Sequence, residues 1–515
     1  MAPAEAAAEA SAEPPAGVEV MAFLVHRYLD FRRPEIDSIV EYLGLDGQVS
    51  WRLPDGGCED SPFWRLRLPC LADAARIASR SLLCKVMLDV WGEGETLAAC
   101  VEAILAHPGA SPPRRSRRCP LAALSPPLPR AEHLRAPFLC AESSFKVVVD
   151  GFGVRRSMAE QREVLDGMLA VPFLGRVSLD NPDHTFWIVE AVGPRENSTL
   201  PPVTPRWYFG REVGRGDRSI LPPLDLKQRR YLGPTSMDHE MALLMCTQGM
   251  AGPGRLIHDP FCGTGSVLMA AASAGALTMG GDIDVRVLRD GKVHKPSGGA
   301  RVNNWTNFRD ARLPLPLALL HCDLAAMPLR RDLTGWAHGW VCDPPYGVRA
   351  GGRKSGGRKR DENGEAFPVP EEHRDSHVPS TAFYPLSECL ADLLEEAARA
   401  LTLRGRLVYF YPALCGVPFE PLSLPQHPCL ELVCTSMQPL SMRWGRRLVT
   451  MRKTREWDAA CRAQAHVQQG PMRAALDAMR LVILEKGSSA ELEAEMAQAG
   501  LHHPNGEKIY RNKRC

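Results

Sequence analysis

The chain has 515 residues, of which 45% are hydrophobic and 24% are charged, a composition typical of folded globular proteins that excludes a largely disordered chain. This length exceeds a comfortable single domain, so two or three folded units are expected. The formal net charge is only +2, and any affinity for nucleic acid must therefore come from local basic patches.

Residues 1–20 are predicted to be a disordered tail. The first 17 are mostly Ala, Glu and Pro and contain no Arg or Lys, unlike a secretory signal or an Arg-rich transit peptide. No apolar run in the chain approaches the roughly 20 residues needed to cross a bilayer. The sixteen cysteines include no Cys-x-x-Cys pair, which favours reduced thiols over a metal site. These features predict a protein of the cytosol or nucleus, with the cytoplasm as the expected location and no bound metal.

A first α+β domain is predicted over residues 21–107. Apolar residues at i, i+3, i+4 and i+7 predict a helix over residues 34–43, and apolar and charged residues alternate as in a half-buried strand at 63–68. Residues 71–104 are mostly helical in pattern, with an interruption near Trp91-Gly92. The Pro/Arg-rich segment 108–137 is predicted to be a linker or a surface insertion.

A second small α+β domain is predicted over residues 138–195. Residues 158–169 have the pattern of a helix. The predicted strands are 145–149, 176–179 and 185–189. Pro and Gly are frequent in the segment that follows, so residues 196–228 are predicted to be a second linker.

Residues 229–455 alternate strand and helix patterns at the spacing of a doubly wound parallel sheet, which predicts a Rossmann-like α/β domain. In chain order the predicted elements are a strand at 256–258, a helix at 266–274 ended by Gly275, a strand at 277–283, a helix from Leu386 to Leu401 ended by Gly405, and a strand at 407–410. Segments 429–433 and 447–451 are predicted to form an antiparallel pair at the sheet edge. Residues 456–515 are predicted to be a helical extension with a basic tail.

A glycine-rich turn follows the first strand of this domain. Asp259 ends the strand, where open α/β sheets bind their ligands. Gly263 and Gly265 would let the backbone pass close to a cofactor and turn into the helix. The NAD version of this turn needs a third small residue, and Leu268 stands at that position. The turn therefore predicts a nucleotide-like cofactor other than a dinucleotide.

Acidic residues recur at the ends of the next predicted strands. Asp282 lies about 20 residues beyond the glycine turn, where a carboxylate accepts hydrogen bonds from ribose hydroxyls, and Asp284 could take that role instead. Asp323 follows a third strand and could contact an adenine amino group. Each aspartate alone could be a solvated loop residue or a helix cap, so the prediction rests on their recurrence.

The most informative motif is Asp343-Pro344-Pro345-Tyr346. Two prolines stiffen the loop and remove two donors, so its carbonyl groups point outward. The Asp343 carboxylate and the Pro344 carbonyl could orient a planar amine, whose lone pair is delocalised, towards a methyl donor. Tyr346 could stack on the ring that carries the amine. The alternative is a simple turn in which Tyr346 packs locally.

A basic loop follows this motif, with several cations spread among glycines. The candidate RNA-binding residues are Arg349, Arg353, Lys354, Arg358 and Lys359. Such a loop beside a catalytic pocket could hold phosphates, and it could equally be a solvated insertion. Taken together, the motifs predict methylation of an exocyclic or amide nitrogen with S-adenosyl-L-methionine as the donor.

Several longer stretches resemble the catalytic subunit of the eukaryotic and archaeal tRNA guanosine-10 N2-methyltransferases. They are Gly233-Pro234-Thr235-Ser236-Met237-Asp238, residues 259–265, Gly281-Asp282-Ile283-Asp284, Asp343-Pro344-Pro345-Tyr346-Gly347, Ser376-His377-Val378-Pro379, residues 427–432 and residues 446–451. Residues 27–36 and 61–64 are similar to the opening domain of that family, and residues 138–195 correspond in position to its THUMP domain, an RNA-binding module.

The resemblance implies a class I methyltransferase fold, a tRNA substrate and a small zinc-binding activator subunit that covers apolar surface on the catalytic domain. It also implies that Thr235, Ser236, Phe261 and Thr264 bind the cofactor alongside the aspartates and glycines already named. The chain departs from the family pattern in its linker at 108–137 and in the Gly/Lys-rich stretch after Asp284.

Two other functions stay open at this stage. The Asp-Pro-Pro-Tyr motif also suits adenine in DNA or RNA and the side-chain amide of glutamine, so the methylated amine could be a different one. The chain could also be a non-catalytic RNA-binding scaffold, although a site without activity has no physical need for Asp259, Gly263, Gly265, Asp343 and Tyr346 together.

Overall fold

The computed structural model describes residues 17–52, 58–106, 135–193, 201, 203–294, 298–346, 351–356, 370–373, 378, 380–415, 424–441, 444–462 and 476. The chain divides into two compact units, one of Met1–Leu29 and Leu43–Asp217 and the other of Asp30–Tyr42 and Arg218–Cys515. Helix α1 (Arg32–Tyr42) belongs to the second unit although its neighbours in sequence belong to the first. Residues 1–16 of the predicted tail, most of the linker at 108–137 and most of the C-terminal extension lie outside the described residues. The boundary predicted for the tail is wrong, because its residues 18–20 belong to the first strand, Val18–Leu24.

The first unit is built on one eight-stranded sheet. Its elements are β1 (Val18–Leu24), β2 (Ser50–Arg52), β3 (Phe63–Leu68), α2 (Leu71–Arg80), β4 (Cys84–Gly94), α3 (Leu97–Ala106), α4 (Ala136–Leu139), β5 (Ser144–Phe152), α5 (Met158–Asp166), β6 (Arg176–Val177), β7 (His184–Ala191) and β8 (Arg206–Arg215). The strand order is β2-β3-β1-β4-β8-β7-β5-β6. Strand β5 pairs in parallel with β6 and β7, and the other neighbours are antiparallel.

Both faces of this sheet are covered. Phe186 and Ile188 of β7 pack into one apolar cluster, and Trp187 and Val189 pack into another. Because alternate residues of a strand point to opposite faces, each cluster lies on its own side of the sheet. A strand buried on both faces loses the polar–apolar alternation that marks a half-buried strand.

Two predictions for this region are wrong. The stretch 71–104, predicted as mostly helical, contains β4. Val86, Met87 and Leu88 of this strand are all buried, so its sequence lacks the alternation of apolar and polar residues by which a strand is predicted. The predicted linker 196–228 contains β8, which pairs with β4 on one side and β7 on the other. The two α+β regions thus share one sheet in the structure.

The second unit contains a seven-stranded mixed sheet of order β13-β10-β9-β14-β17-β19-β18. Its elements after α1 are α6 (His239–Gln248), β9 (Leu256–Asp259), α7 (Ser266–Ser273), β10 (Leu277–Asp282), β11 (Lys292–His294), β12 (Ala300–Val302), α8 (Asn304–Asp310), β13 (Ala318–His321), β14 (Ala337–Cys342), β15 (Arg353–Ser355), β16 (Thr381–Phe383), α9 (Leu386–Ala400), β17 (Leu401–Leu414), β18 (Leu430–Pro439) and β19 (Trp444–Lys453). Short 3-10 turns occur at 29–31, 222–224, 226–228 and 371–373, and a π-helical turn at 286–290.

This sheet confirms the Rossmann-like prediction. Strands β13, β10, β9, β14 and β17 are parallel, and β19 and β18 extend them as the antiparallel edge. Gly275 adopts a φ of 87° after α7, as predicted for a helix terminator. Helix α9, in contrast, ends at Ala400, and Gly405 lies inside β17. Within the part of the chain that the structure describes, no helix is both long and apolar enough to span a bilayer.

Candidate active site

The glycine turn after β9 is held from two sides. Gly263 and Gly265 have φ values of 49° and 82°, in the left-handed region that favours glycine. The Gly263 amide donates to Asp282 Oδ2 at 2.9 Å, and its carbonyl accepts from Asn304 Nδ2 at 2.9 Å. The turn is therefore fixed in place by side chains from β10 and α8.

Three carboxylates, one buried and two partly buried, cluster where β9, β10 and β14 end. Asp259 is 2% exposed, and its Oδ1 accepts from the Phe261 amide at 2.9 Å. Burial, with the nearby Asp282 and Asp343 carboxylates, raises the pKa of Asp259 well above its usual range. Burial also raises the pKa of Asp282. Carboxylates this close together repel one another unless a ligand supplies hydrogen-bond donors. A cluster of this kind is typical of a ligand-binding site.

Asp284 and Asp323 have different surroundings from Asp282. Arg286 contacts both oxygens of Asp284, at 2.8 and 2.7 Å, and this pairing lowers the pKa of Asp284. Asp282 braces the turn through Gly263 and also accepts from the Asp284 amide at 2.9 Å. Asp323 accepts from the Ser355 amide at 2.7 Å, so the β15–β16 hairpin reaches the end of β13.

The remaining cofactor candidates lie around the same turn. Ser236 Oγ and Thr264 Oγ1 are 2.7 Å apart and hydrogen-bonded. Thr235, next to Ser236, is exposed, and Phe261 is partly buried against the core. The structure thus brings Ser236, Thr264 and the glycine turn together, while Thr235 lies on the surface beside them.

The Asp-Pro-Pro-Tyr motif directly follows β14. The side chain of Asp343 is 26% exposed, and its Oδ2 accepts from Arg446 Nη1 at 2.8 Å. Arg446 Nη1 also lies 3.2 Å from the Tyr346 hydroxyl. Burial raises the pKa of Asp343, and the Arg446 charge opposes that shift. Pro344, which lies between Asp343 and Tyr346 in the sequence, is buried. Arg446 therefore holds the motif at both of its ends.

The glycine turn and this motif open at one edge of the sheet. Strands β9 and β14 are parallel neighbours, with Gly339 opposite Ile257 and Trp340 opposite His258. Their carboxyl ends therefore lie side by side, and the Asp343 charge reaches Asp259. A cofactor in the turn and an amine at Asp343 would occupy adjoining positions.

Of the predicted basic loop, only Arg353 and Lys354 are described, on β15. Lys354 Nζ lies 2.7 Å from Glu388 Oε2 and 5.4 Å from the centre of the Tyr384 ring. The Glu388 contact raises the pKa of Lys354. Arg353 is exposed and lies 3.4 Å from Thr381 Oγ1. Arg349, Arg358 and Lys359 lie outside the described residues.

Curated relatives share most of the length of this chain. The tRNA (guanine(10)-N(2))-methyltransferase TRMT11 of Mus musculus is 32% identical over 84% of this chain and 88% of that protein. The TRMT11 of Gallus gallus is 30% identical over 84% of this chain and 87% of its own length. The chain belongs to the TRMT11 family. The resemblance read from the motifs is thereby confirmed.

Family models match both halves of this TRMT11-family chain. The Tmrp11 THUMP N-terminal domain matches residues 18–111 and 131–218, and the RMKL-like methyltransferase domain matches residues 227–295. Among solved structures, TrmN from Thermus thermophilus aligns with 84% of this chain and 99% of its own, at 16% identity and a TM-score of 0.37.

Three polar residues of this TRMT11-family site were missed from sequence. Asn304 holds the glycine turn, and Asn307 Nδ2 donates to the Tyr231 carbonyl at 2.8 Å. Both begin or line α8, and nothing in their local pattern distinguishes them from helix-cap residues. Arg446 lies on β19, between β17 and β18, and follows Asp343 by 103 residues in the chain. Among the described residues, no group of three or more His, Cys, Asp or Glu could hold a metal ion.

Proposed function

We propose that this chain transfers a methyl group from S-adenosyl-L-methionine to the exocyclic N2 amine of a guanosine in tRNA. The names of its relatives give position 10 as the target. The observation that carries the proposal is the adjacency of the glycine turn and Asp343 at the ends of neighbouring parallel strands. An amine and a methyl donor must lie in line and in contact for the transfer to occur.

The residues around the turn fit such a cofactor. Asp282 and Asp259 offer lone pairs to ribose or amine donors, and Ser236 and Thr264 offer hydroxyls. An ideal Cβ on Gly263 would find its nearest neighbour 3.9 Å away, so space is open above the turn. S-adenosyl-L-methionine, when bound, supplies a methyl group made electrophilic by its sulfonium sulfur.

The chain's own contribution is to orient the amine and to hold its proton. The lone pair of the guanine N2 is delocalised into the ring, so the amine is a weak nucleophile. A hydrogen bond from the amine to the Asp343 carboxylate, and another to the Pro344 carbonyl, would fix its direction. The methylated amine would have a proton to lose, and we propose Asp343 as the base that accepts it.

The test is Asp343→Asn in the full chain, with the loss of methyl transfer measured in a single turnover on unmodified tRNA. We expect a fall of about 10²–10⁴-fold, the usual contribution of a positioned acid–base group. Cofactor affinity, measured by calorimetry, should be nearly unchanged. Mass spectrometry of the nucleosides should find N2-methylguanosine in the wild-type reaction; methyladenosine instead would overturn the substrate assignment.

The first unit supplies a candidate contact surface for the tRNA. A cavity of about 640 Å³ lies between the end of β5 and the start of α5, with Lys85, Arg155 and Arg156 in its lining. Lys85 pairs with Asp150, and Arg156 Nη2 lies 2.7 Å from Glu190 Oε2. Arg155 is exposed, so its charge is available to a phosphate.

The proposal includes the zinc-binding activator subunit as a partner. Strand β13 ends the seven-stranded sheet, so one side of its backbone has no neighbouring strand among the described residues. Leu315 and Leu317 beside it are 44% and 60% exposed. An open edge with apolar side chains is a surface that a partner can cover by adding a strand.

A cytoplasmic location is the last part of the proposal. The fourteen cysteines that the structure describes are all free thiols, as is usual in a reducing compartment.

A further inference from the structure

Arg446 is surrounded by groups that fix its guanidinium in one orientation. It lies on β19, opposite Pro412 of β17 and Gln438 of β18. Its Nε donates to Gln438 Oε1 at 2.8 Å, and its Cζ lies 3.8 Å from the centre of the Phe410 ring. The guanidinium is thus stacked on an aromatic face and anchored along one edge, so its Nη1 has little freedom.

The anchored Nη1 points at the Asp-Pro-Pro-Tyr motif. It donates to Asp343 Oδ2 at 2.8 Å and lies 3.2 Å from the Tyr346 hydroxyl. The Tyr346 hydroxyl is close enough to the Asp343 carboxylate to lower the pKa of Asp343. Asp343 Oδ1, by contrast, is buried and has no hydrogen-bond partner among the described residues. One carboxylate oxygen is therefore occupied by the chain, and the other has unused acceptor capacity.

We propose that Arg446 is a positioning residue of the methyl-transfer site, which sets the plane of the Asp343 carboxylate and the direction of the Tyr346 ring for the target amine. The inference rests on the proposed role of Asp343 in the reaction. It adds a residue from the antiparallel edge of the sheet to a site otherwise built from the ends of parallel strands.

The charge of Arg446 has a second effect at the same place. The titratable groups close enough to interact with the charge of Asp343 are Asp259 at the end of β9, Cys342 at the end of β14, Tyr346 and Arg446. Burial raises the pKa of Asp343, while Arg446 lowers it. Without this cation, the carboxylate would become protonated at a higher pH, and a protonated carboxyl is a poorer acceptor for an amine.

The experiment measures single-turnover methyl transfer by the full chain across pH 5.5–9.5, with unmodified tRNA and saturating cofactor. Arg446→Met removes both the charge and the N–H donors of the guanidinium. The acidic limb of its rate profile should therefore shift to higher pH, by about 1–3 pH units. Arg446→Lys keeps the charge, so its limb should stay near the wild-type position while the rate constant falls. Gln438→Leu keeps the charge but frees the guanidinium, and the same pattern as for Arg446→Lys is expected.

Arg447→Met is the matched control because Arg447 is the next residue on β19 and its Nη1 lies 3.2 Å from Thr435 Oγ1 rather than at the motif. Its profile should match the wild type. If Arg446→Met loses activity equally at every pH, in step with a lower melting temperature, Arg446 is only structural and the proposal is wrong. An active Asp343→Asn variant would instead refute the proposed site itself, so the two failures are distinguishable.

Discussion

At the scale of single residues, Gly265 links backbone conformation to cofactor binding. Its φ of 82° costs a residue with a side chain about 1–2 kcal/mol. A Cβ there would lie 3.1 Å from Asn304 Oδ1, and Asn304 holds the Gly263 carbonyl. We expect Gly265→Ala to lower the free energy of unfolding by about that amount and to weaken cofactor binding at least about tenfold.

Gly254 offers a matched control for this substitution. It has a similar φ of 77°, but nothing lies within 4 Å of its ideal Cβ. Gly254→Ala should therefore show the same loss of stability in chemical denaturation and unchanged cofactor affinity in calorimetry. If the two variants bound the cofactor with equal affinity, Gly265 would not be part of the cofactor-binding site.

Asp259 should make stability depend on pH. Burial raises its pKa in the folded state, so the folded chain holds this proton more tightly than the unfolded chain. The resulting destabilisation is absent below about pH 4, the pKa of an unfolded aspartate. It grows as the pH rises through the raised pKa and is complete above it.

Asp259→Asn removes that destabilisation and can still accept from the Phe261 amide. At pH 8 its melting temperature should exceed that of the wild type by about 2–4 °C, and the difference should vanish near pH 4. The measurement is calorimetry across pH, with the exposed Asp332→Asn as control. If Asp259→Asn were less stable than the wild type at pH 8, the ionised Asp259 carboxylate would not destabilise the folded chain.

At the scale of elements, α1 is fixed to the second unit by a buried ion pair. Arg406 of β17 is 1% exposed and pairs with Glu41 near the end of α1. The Nε and Nη1 atoms of Arg406 have no hydrogen-bond partner among the described residues, so Glu41 carries most of the compensation for this charge. Asp30, just before α1, accepts from the Met437 amide at 3.1 Å.

Glu41→Gln should therefore lower the unfolding free energy of the second unit by about 3 kcal/mol, because it leaves a buried guanidinium without its counter-ion. Hydrogen exchange of the β17 amides reports on that unit. Asp37→Asn removes the exposed pair with Arg33, whose side chain is 58% exposed, and should cost under about 1 kcal/mol. Equal protection losses in both variants would show that the Glu41 pair contributes no special stability.

The edge strand β13 yields a prediction about the partner. Leu317→Asp places a charge on the open edge, so co-purification with the proposed zinc-binding activator subunit should fall at least about tenfold, the change expected for a loss of 1.4 kcal/mol. Leu169→Asp changes an equally apolar residue that is 81% exposed on α5's C-terminal side and should leave the complex intact. Retention of the complex by Leu317→Asp would exclude this edge.

Sequence reasoning predicted the structural features that are local in the chain and missed those that depend on distant contacts. The glycine turn and the Asp343 motif are contiguous in sequence, and so is the 3–4 spacing of α9. Arg446 meets Asp343 only because β14, β17 and β19 lie side by side, and no local pattern encodes that register. Similarly, the helical period of α1 is visible, but its partner Arg406 is 365 residues away.

At the scale of the whole molecule, the two units divide the proposed work between tRNA binding and methyl transfer. Arg155→Glu in the cavity of the first unit should weaken tRNA binding about tenfold and reduce the salt dependence by about one phosphate contact. Filter binding at several salt concentrations measures both. The control is Arg330→Glu in the second unit, where the Arg330 side chain is 82% exposed. If this variant weakened tRNA binding equally, the effect of Arg155→Glu would come from the change in net charge alone.

The allocation of α1 to the second unit also has a consequence for synthesis. The helix leaves the ribosome early, but Arg406 and Met437 follow 365 and 407 residues after their partners Glu41 and Asp30. At a synthesis rate of about 5–20 residues per second, the strands against which the helix packs are made roughly 20–80 s after the helix itself. During that interval the nascent chain carries an unshielded glutamate and an uncovered apolar helix face, which makes this segment a natural client for chaperones.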